Sequence, residues 1–189
     1  NLAHLKSDKT VDPAWVAHAN GRVNALALSG SVLFAGGEFM SVNGQVRSKL
    51  AALDVATGQP TAWDAGAVGT VHALAVSGGT LYVGGEFSSI LGRTRKNIAA
   101  LDANSGQPSG WDPVAFGAVY ALAVKESVIY AGGAFSNIGG RDRSRMAALD
   151  ASTGGALTTW NPNAEGTVRS LALGSDRIFV GGDFLKLGG

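Results

Sequence analysis

The sequence of 189 residues contains no cysteine. Disulfides and thiolate metal sites are therefore excluded, while the compartment stays open because many secreted bacterial proteins also lack cysteine. Charge is scarce as well, with 15% of residues being Asp, Glu, Lys or Arg, against about 25% in an average soluble domain. At a net charge of +1, no global field draws the chain toward nucleic acid or a membrane surface. No apolar run approaches the ~18 residues that span a bilayer, so membrane insertion is not expected. Histidine is limited to His4, His18 and His72, and their strand spacing converges no two of them on a metal or catalytic centre. No Gly-rich loop leads into a helix to cradle a phosphate, and no Gly-x-Ser-x-Gly elbow is present. The chain opens on Asn1 and stops on Gly188-Gly189, which reads as a cut from a longer polypeptide or a processed product.

Glycine, by contrast, is abundant, at 28 residues, and it falls in a repeat. VNALALSGSVLFAGGEF starts at Val23, VHALAVSGGTLYVGGEF at Val71, VYALAVKESVIYAGGAF at Val119 and VRSLALGSDRIFVGGDF at Val168, giving spacings of 48, 48 and 49 residues. Each of the first three copies continues through a basic loop into KLAALDVATGQPTAW, NIAALDANSGQPSGW or RMAALDASTGGALTTW. The N-terminal NLAHLKSDKTVDPAW matches this second half, with Trp15 lying 48 residues before Trp63.

Within a copy the periodicity is two. Val71, Ala73 and Ala75 alternate with His72, Leu74 and Val76, as in a strand with two different faces. LYVGGEF is a second strand after a Ser-Gly-Gly turn, IAALDA a third, and the Asp-x-x-x-Gly after it is turn chemistry. The stretch around Trp63, Trp111 and Trp160 is expected as a fourth, outermost strand. Four short antiparallel strands per roughly 40–50 residues is the blade of a β-propeller. The fold class read here is all-β: a propeller of ~48-residue four-stranded blades, with whole blades at 23–70, 71–118 and 119–167. Half-blades at 1–22 (outer strands) and 168–189 (inner strands) complete a single domain over 1–189. The two halves are complementary, so they point to a strained four-blade ring, a larger ring in a parent protein, or self-association.

The strand ending in Gly-Gly (Gly36-Gly37, Gly84-Gly85, Gly132-Gly133, Gly181-Gly182), the Arg loop, ALD, a turn and Trp resemble the Kelch motif. The AALDxxTGxxxW stretch also resembles the tryptophan-docking repeat of quinoprotein-type propellers. The order YVGGxF, G-x-x-R, LAxLDxxTG is similar to repeat arrays of large secreted bacterial proteins, mostly of unassigned function. These resemblances imply a bacterial extracellular or cell-envelope location. The copper site of the Kelch enzyme galactose oxidase includes a cysteine-crosslinked Tyr, which a cysteine-free chain cannot carry. No acidic cluster outside the turns matches the Ca²⁺-bound cofactor of quinoprotein dehydrogenases. No cofactor and no catalytic residue are expected.

Two sets of residues are candidates for binding. Position two of the inner strand varies as Asn24, His72, Tyr120 and Arg169 while its neighbours barely change. Either these side chains contact a ligand near a channel mouth, or they drift neutrally at a solvated site. The loop between strands two and three gathers Arg47, Arg93, Arg95, Arg141 and Arg143 with Lys49, Lys96 and Arg145, eight of the 15 Lys and Arg. On one rim they would form a basic arc for an acidic glycan or other polyanion. The recurring Arg47, Arg95 and Arg143 are expected to pair with Glu38, Glu86 and Asp183 or with the turn acids Asp54, Asp102 and Asp150; a cation site in the turns or a carboxylate ring at the channel mouth is the alternative. The function expected is a non-catalytic module for protein interaction or assembly, including self-association through the half-blades. Alternatives are a glycan-binding module and the propeller portion of a larger secreted enzyme.

Overall fold

The computed structural model describes residues 2–188, and among these every regular element is a strand or a turn. Four inner strands run over Val23–Ser29, Ala67–Ser77, Val119–Lys125 and Val168–Leu173. Each pairs antiparallel with a middle strand: Val32–Gly37, Thr80–Ile90, Val128–Gly133 and Ile178–Gly182 in turn. The first three middle strands pair on their other side with a third strand, Leu50–Asp54, Ile98–Asp102 or Met146–Asp150. The inner strands lie beside one another in chain order, so successive sheets stack face against face.

The stretch around each tryptophan is not a fourth strand. After the third strand the chain folds back through one bridge only: Leu53 to Pro60, Leu101 to Pro108 and Leu149 to Ala156. Pro60 and Pro108 have no N–H to extend a ladder. The tryptophans then leave the sheet to fill the space before the next one. Trp63, Trp111 and Trp160 set their rings edge-on to Phe34, Tyr82 and Tyr130 of their own blade, with centroids 5.2–5.3 Å apart. Trp111 Nε1 donates to the Asp150 carbonyl of the next blade at 3.0 Å, and Trp15 Nε1 to Val55 O at 2.8 Å.

Each Gly-Gly pair does two separate jobs. A Cβ on the first glycine would run into the inner strand of the next blade: for Gly84 the nearest atom is Val119 Cγ1, at 2.7 Å, with Leu122 Cδ1 at 3.3 Å. Gly36 receives Val71 and Leu74 in the same way, and Gly132 receives Val168 and Leu171. A Cβ on the second glycine would collide with a carbonyl of its own blade, Arg22 O at Gly37 and Ala118 O at Gly133. Those carbonyls crowd in because every inner strand carries a register shift just beyond them, at 23/25, 71/73, 119/121 and 168/170.

The stack is open at both ends. Leu53, Leu101 and Leu149 of the third strands are 0% exposed, whereas Leu5 at the same repeat position is 65% exposed. Phe34 of the middle strand is 1% exposed and its counterpart Phe179 is 59% exposed. Leu26 on the first inner strand is 51% exposed where Leu74 is 9% exposed. The two half-blades therefore do not cover one another within the chain.

Candidate functional site

The register shifts fall at the residues that vary. Asn24, His72, Tyr120 and Arg169 are the extra residue in each inner strand, with no partner in the ladder. A bulge of this kind turns its side chain out of the ladder and frees it from the packing rules that fix its neighbours. That is why these four positions tolerate an amide, an imidazole, a phenol and a guanidinium in one repeat.

The structure brings the four into one file, each from a successive blade. Asn24 Nδ2 donates to the Val71 carbonyl at 3.0 Å, at the foot of His72. The rings of His72 and Tyr120 meet at 5.0 Å between centroids, and the Arg169 guanidinium lies 5.6 Å from the Tyr120 ring centroid, within cation–π range. The acidic residues after two of the glycine pairs, Glu86 and Asp183, stand beside the file. His72 Nε2 is 3.8 Å from Glu86, and Arg169 bonds Asp183 through Nε and Nη2 at 2.7 and 2.6 Å. This pairing holds the Asp183 carboxyl below its ordinary range and raises Arg169, each chiefly through their shared hydrogen bond. The result is a half-exposed strip of ring faces and charge, able to take a planar or polyhydroxylated ligand by stacking and hydrogen bonding.

The basic rim is built differently from the sequence expectation. Arg47, Arg95 and Arg143 do not pair with the acidic position after the glycines or with the turn acids. Their Nη2 atoms donate to backbone carbonyls of the returning chain: Thr61 O at 2.6 Å, Ser109 O at 2.7 Å and Leu157 O at 2.8 Å. Nη1 binds the carbonyl just before each arginine, and Arg95 adds a contact of 3.4 Å to Asp112. A guanidinium fork suits this bridging of two strands, and Arg143 is buried in doing so. Arg141 Nε donates to Ala156 O at 3.1 Å, Lys49 to Glu38 O at 2.9 Å, and Lys96 sits 4.1 Å over the Phe116 ring. Arg93 is exposed on a two-residue hairpin. Most of the arc is thus engaged in holding the loops, which arises because these loops form tight hairpins such as Ser41–Val42 with Gln45–Val46.

The turn acids close their own turns. Asp150 accepts from the Ser152 and Thr153 hydroxyls and from both backbone N–H groups, which lowers its carboxyl from 3.8 to about 2. Asp102 is lowered in the same way by Ser105 and Asn104. A depressed carboxylate contributes stability above its unfolded value, and that contribution disappears as pH falls through the folded one. The melting temperature is therefore expected to hold down to about pH 4 and to fall between about pH 4 and 2, and Asp150→Asn should flatten part of that fall in a thermal-melt series. Among the described residues no group of three or more His, Asp or Glu is placed to hold a metal ion.

The chain matches no family model and none of the curated proteins. Solved structures do resemble it. The computationally designed Ika4 protein matches with a TM-score of 0.58 at 17% identity, over 88% of each chain. A chain of the mitotic checkpoint complex matches with a TM-score of 0.65 at 21% identity, over 94% of this chain and 50% of that one. The extracellular domain of the putative one-component system BT4673 from B. thetaiotaomicron matches with a TM-score of 0.54 at 18% identity, over 84% of this chain and 19% of that one. At these identities the likeness is one of fold: an all-β chain of propeller type.

Proposed function

We propose that the chain is a non-catalytic, Kelch-like propeller module of an extracellular or cell-envelope bacterial protein, working through protein interaction and assembly at the open ends of its blade stack. The observation that carries this is the contrast between equivalent positions. Leu53 and Phe34 are sealed inside a complete blade, while Leu5 and Phe179 carry the same chemistry to the surface. A middle strand with a free edge and an apolar face accepts an added strand through main-chain hydrogen bonds and side-chain pockets.

The edge itself can be tested without knowing who fills it. A synthetic peptide of residues 2–12 is expected to shift the backbone amide resonances of Ile178–Gly182 in a saturable way. Shifts scattered over the surface, or none at millimolar peptide, would remove the strand-addition reading.

A second reading, glycan binding, is favoured by one observation: the His72, Tyr120 and Arg169 side chains form a continuous strip. In that reading alanine at Asn24, His72, Tyr120 and Arg169 together abolishes binding on a glycan array and leaves the melting temperature within about 5 °C. Retained binding by the folded variant contradicts it.

A further inference from the structure

We infer that the partner at these edges is a second copy of this chain, joined head to tail, with residues 2–6 of one copy adding as the missing third strand on Ile178–Gly182 of the other. This rests on the reading of the ends as strand-addition edges, and it names the occupant and the register. The missing half of each terminal blade is present at the other end of the same sequence. Both halves are exposed at once in this chain, and a second copy carries the complement of each.

The register follows from the whole blades. In the first, Gly36 faces Leu50, Ala35 faces Ala51, Phe34 faces Ala52 and Leu33 faces Leu53. Carried by the repeat to the ends, Gly181 faces Leu2, Val180 faces Ala3, Phe179 faces His4 and Ile178 faces Leu5. Three sites then fill together. A groove of about 330 Å³ lies open beside the free edge, with Tyr130, Met146, Trp160, Ile178, Val180 and Leu187 in its wall. The equivalent tryptophan in the first interface, Trp15, is packed with Ala35, Ala51 and Leu53. Ala3 and Leu5 of the second copy restore that packing over Trp160. On the opposite face Phe179 reaches the second copy's Trp15, as Phe34 reaches Trp63 at 5.3 Å.

The third site is the glycine lock. Gly36, Gly84 and Gly132 each hold a valine of the next inner strand, but a Cβ on Gly181 would meet only Ser170 of its own blade. Val23 and Leu26 are the one unseated valine–leucine pair among the four inner strands, and they fit that vacancy. One contact opposes the union, because Lys6 comes to face Arg177. Each keeps its own carboxylate, Asp12 at 3.5 Å and Asp176 at 2.9 Å, so the repulsion is muted. Two copies joined at both ends close a ring of six whole blades and two shared ones.

The absence of cysteine makes the test clean, since any disulfide must come from introduced residues. Facing strand residues have Cα atoms about 4.5–5.5 Å apart, inside the disulfide range. Chains carrying Ala3→Cys are mixed with chains carrying Val180→Cys and oxidised. A covalent two-chain species is expected, at a yield about tenfold above that of Ala3→Cys with Phe179→Cys, whose side chain points to the other face. Equal yields from the two pairings, or no two-chain product, overturn the inference. So does a doubly substituted chain that oxidises only within itself. If peptide 2–12 still binds the edge in that case, the strand-addition reading stands and only the second copy falls; if it does not, both fall.

Discussion

Alanine in place of Trp111 is expected to destabilise the fold by about 3–5 kcal/mol, as large-to-small changes of buried aromatics do. Three things are lost at once. The indole is 5% exposed and fills the space between the second and third blades with Ile98, Ala100, Ile129, Ala131 and Leu149. Its ring meets Tyr82 edge-on at 5.2 Å, an arrangement worth about 0.5–1.5 kcal/mol beyond burial. Its N–H satisfies the Asp150 carbonyl at 3.0 Å. Trp111→Phe keeps most of the packing and should recover all but about 1–2 kcal/mol. Denaturant unfolding monitored by circular dichroism measures both, and a Trp111→Ala midpoint equal to the parent's would mean that this side chain does not join the blades.

Gly133→Ala is expected to be comparably severe, on the order of 3 kcal/mol, although it adds a single methyl group. The new Cβ would press on the Ala118 carbonyl and sit 3.0 Å from Phe135 Cδ1. Backbone cannot swing aside as a long side chain can, so the inner and middle strands must part at the bulge. Gly110→Ala is the matched control, because nothing lies within 4 Å of its Cβ position and its φ is not in the left-handed region. There, alanine should be neutral or stabilise by up to about 1 kcal/mol through the unfolded chain. Equal melting temperatures for the two variants would contradict the assigned role of the second glycine.

The sequence made the blades legible because alternation along VHALAV and the Ser-Gly-Gly turn are local signals. Gly78 and Gly79 do form the turn, with φ of 54° and 78°. The tryptophans recurred visibly but their role as links did not, since nothing within one repeat says that Trp111 donates to Asp150 a blade away. The bulge was likewise hidden: Asn24, His72, Tyr120 and Arg169 stood out by variation, and only strand pairing reveals that each is the unpaired residue of its ladder. Arg47, Arg95 and Arg143 were expected beside carboxylates because charge pairing is what composition suggests. Backbone carbonyls, which every residue carries, leave no mark in a sequence. The glycine pairs recurred visibly in the sequence; that the first serves the neighbouring blade and the second its own needed the strand pairing and the atoms facing each.

In the proposed assembly the two ends of the stack are halves of one blade, completed by another copy. Light scattering across a concentration series tests it most directly. The predicted result is a mass that rises with concentration and saturates at twice that of one chain, and that Leu5→Arg with Phe179→Arg returns to a folded monomer. The mass of a single chain at every concentration would contradict it.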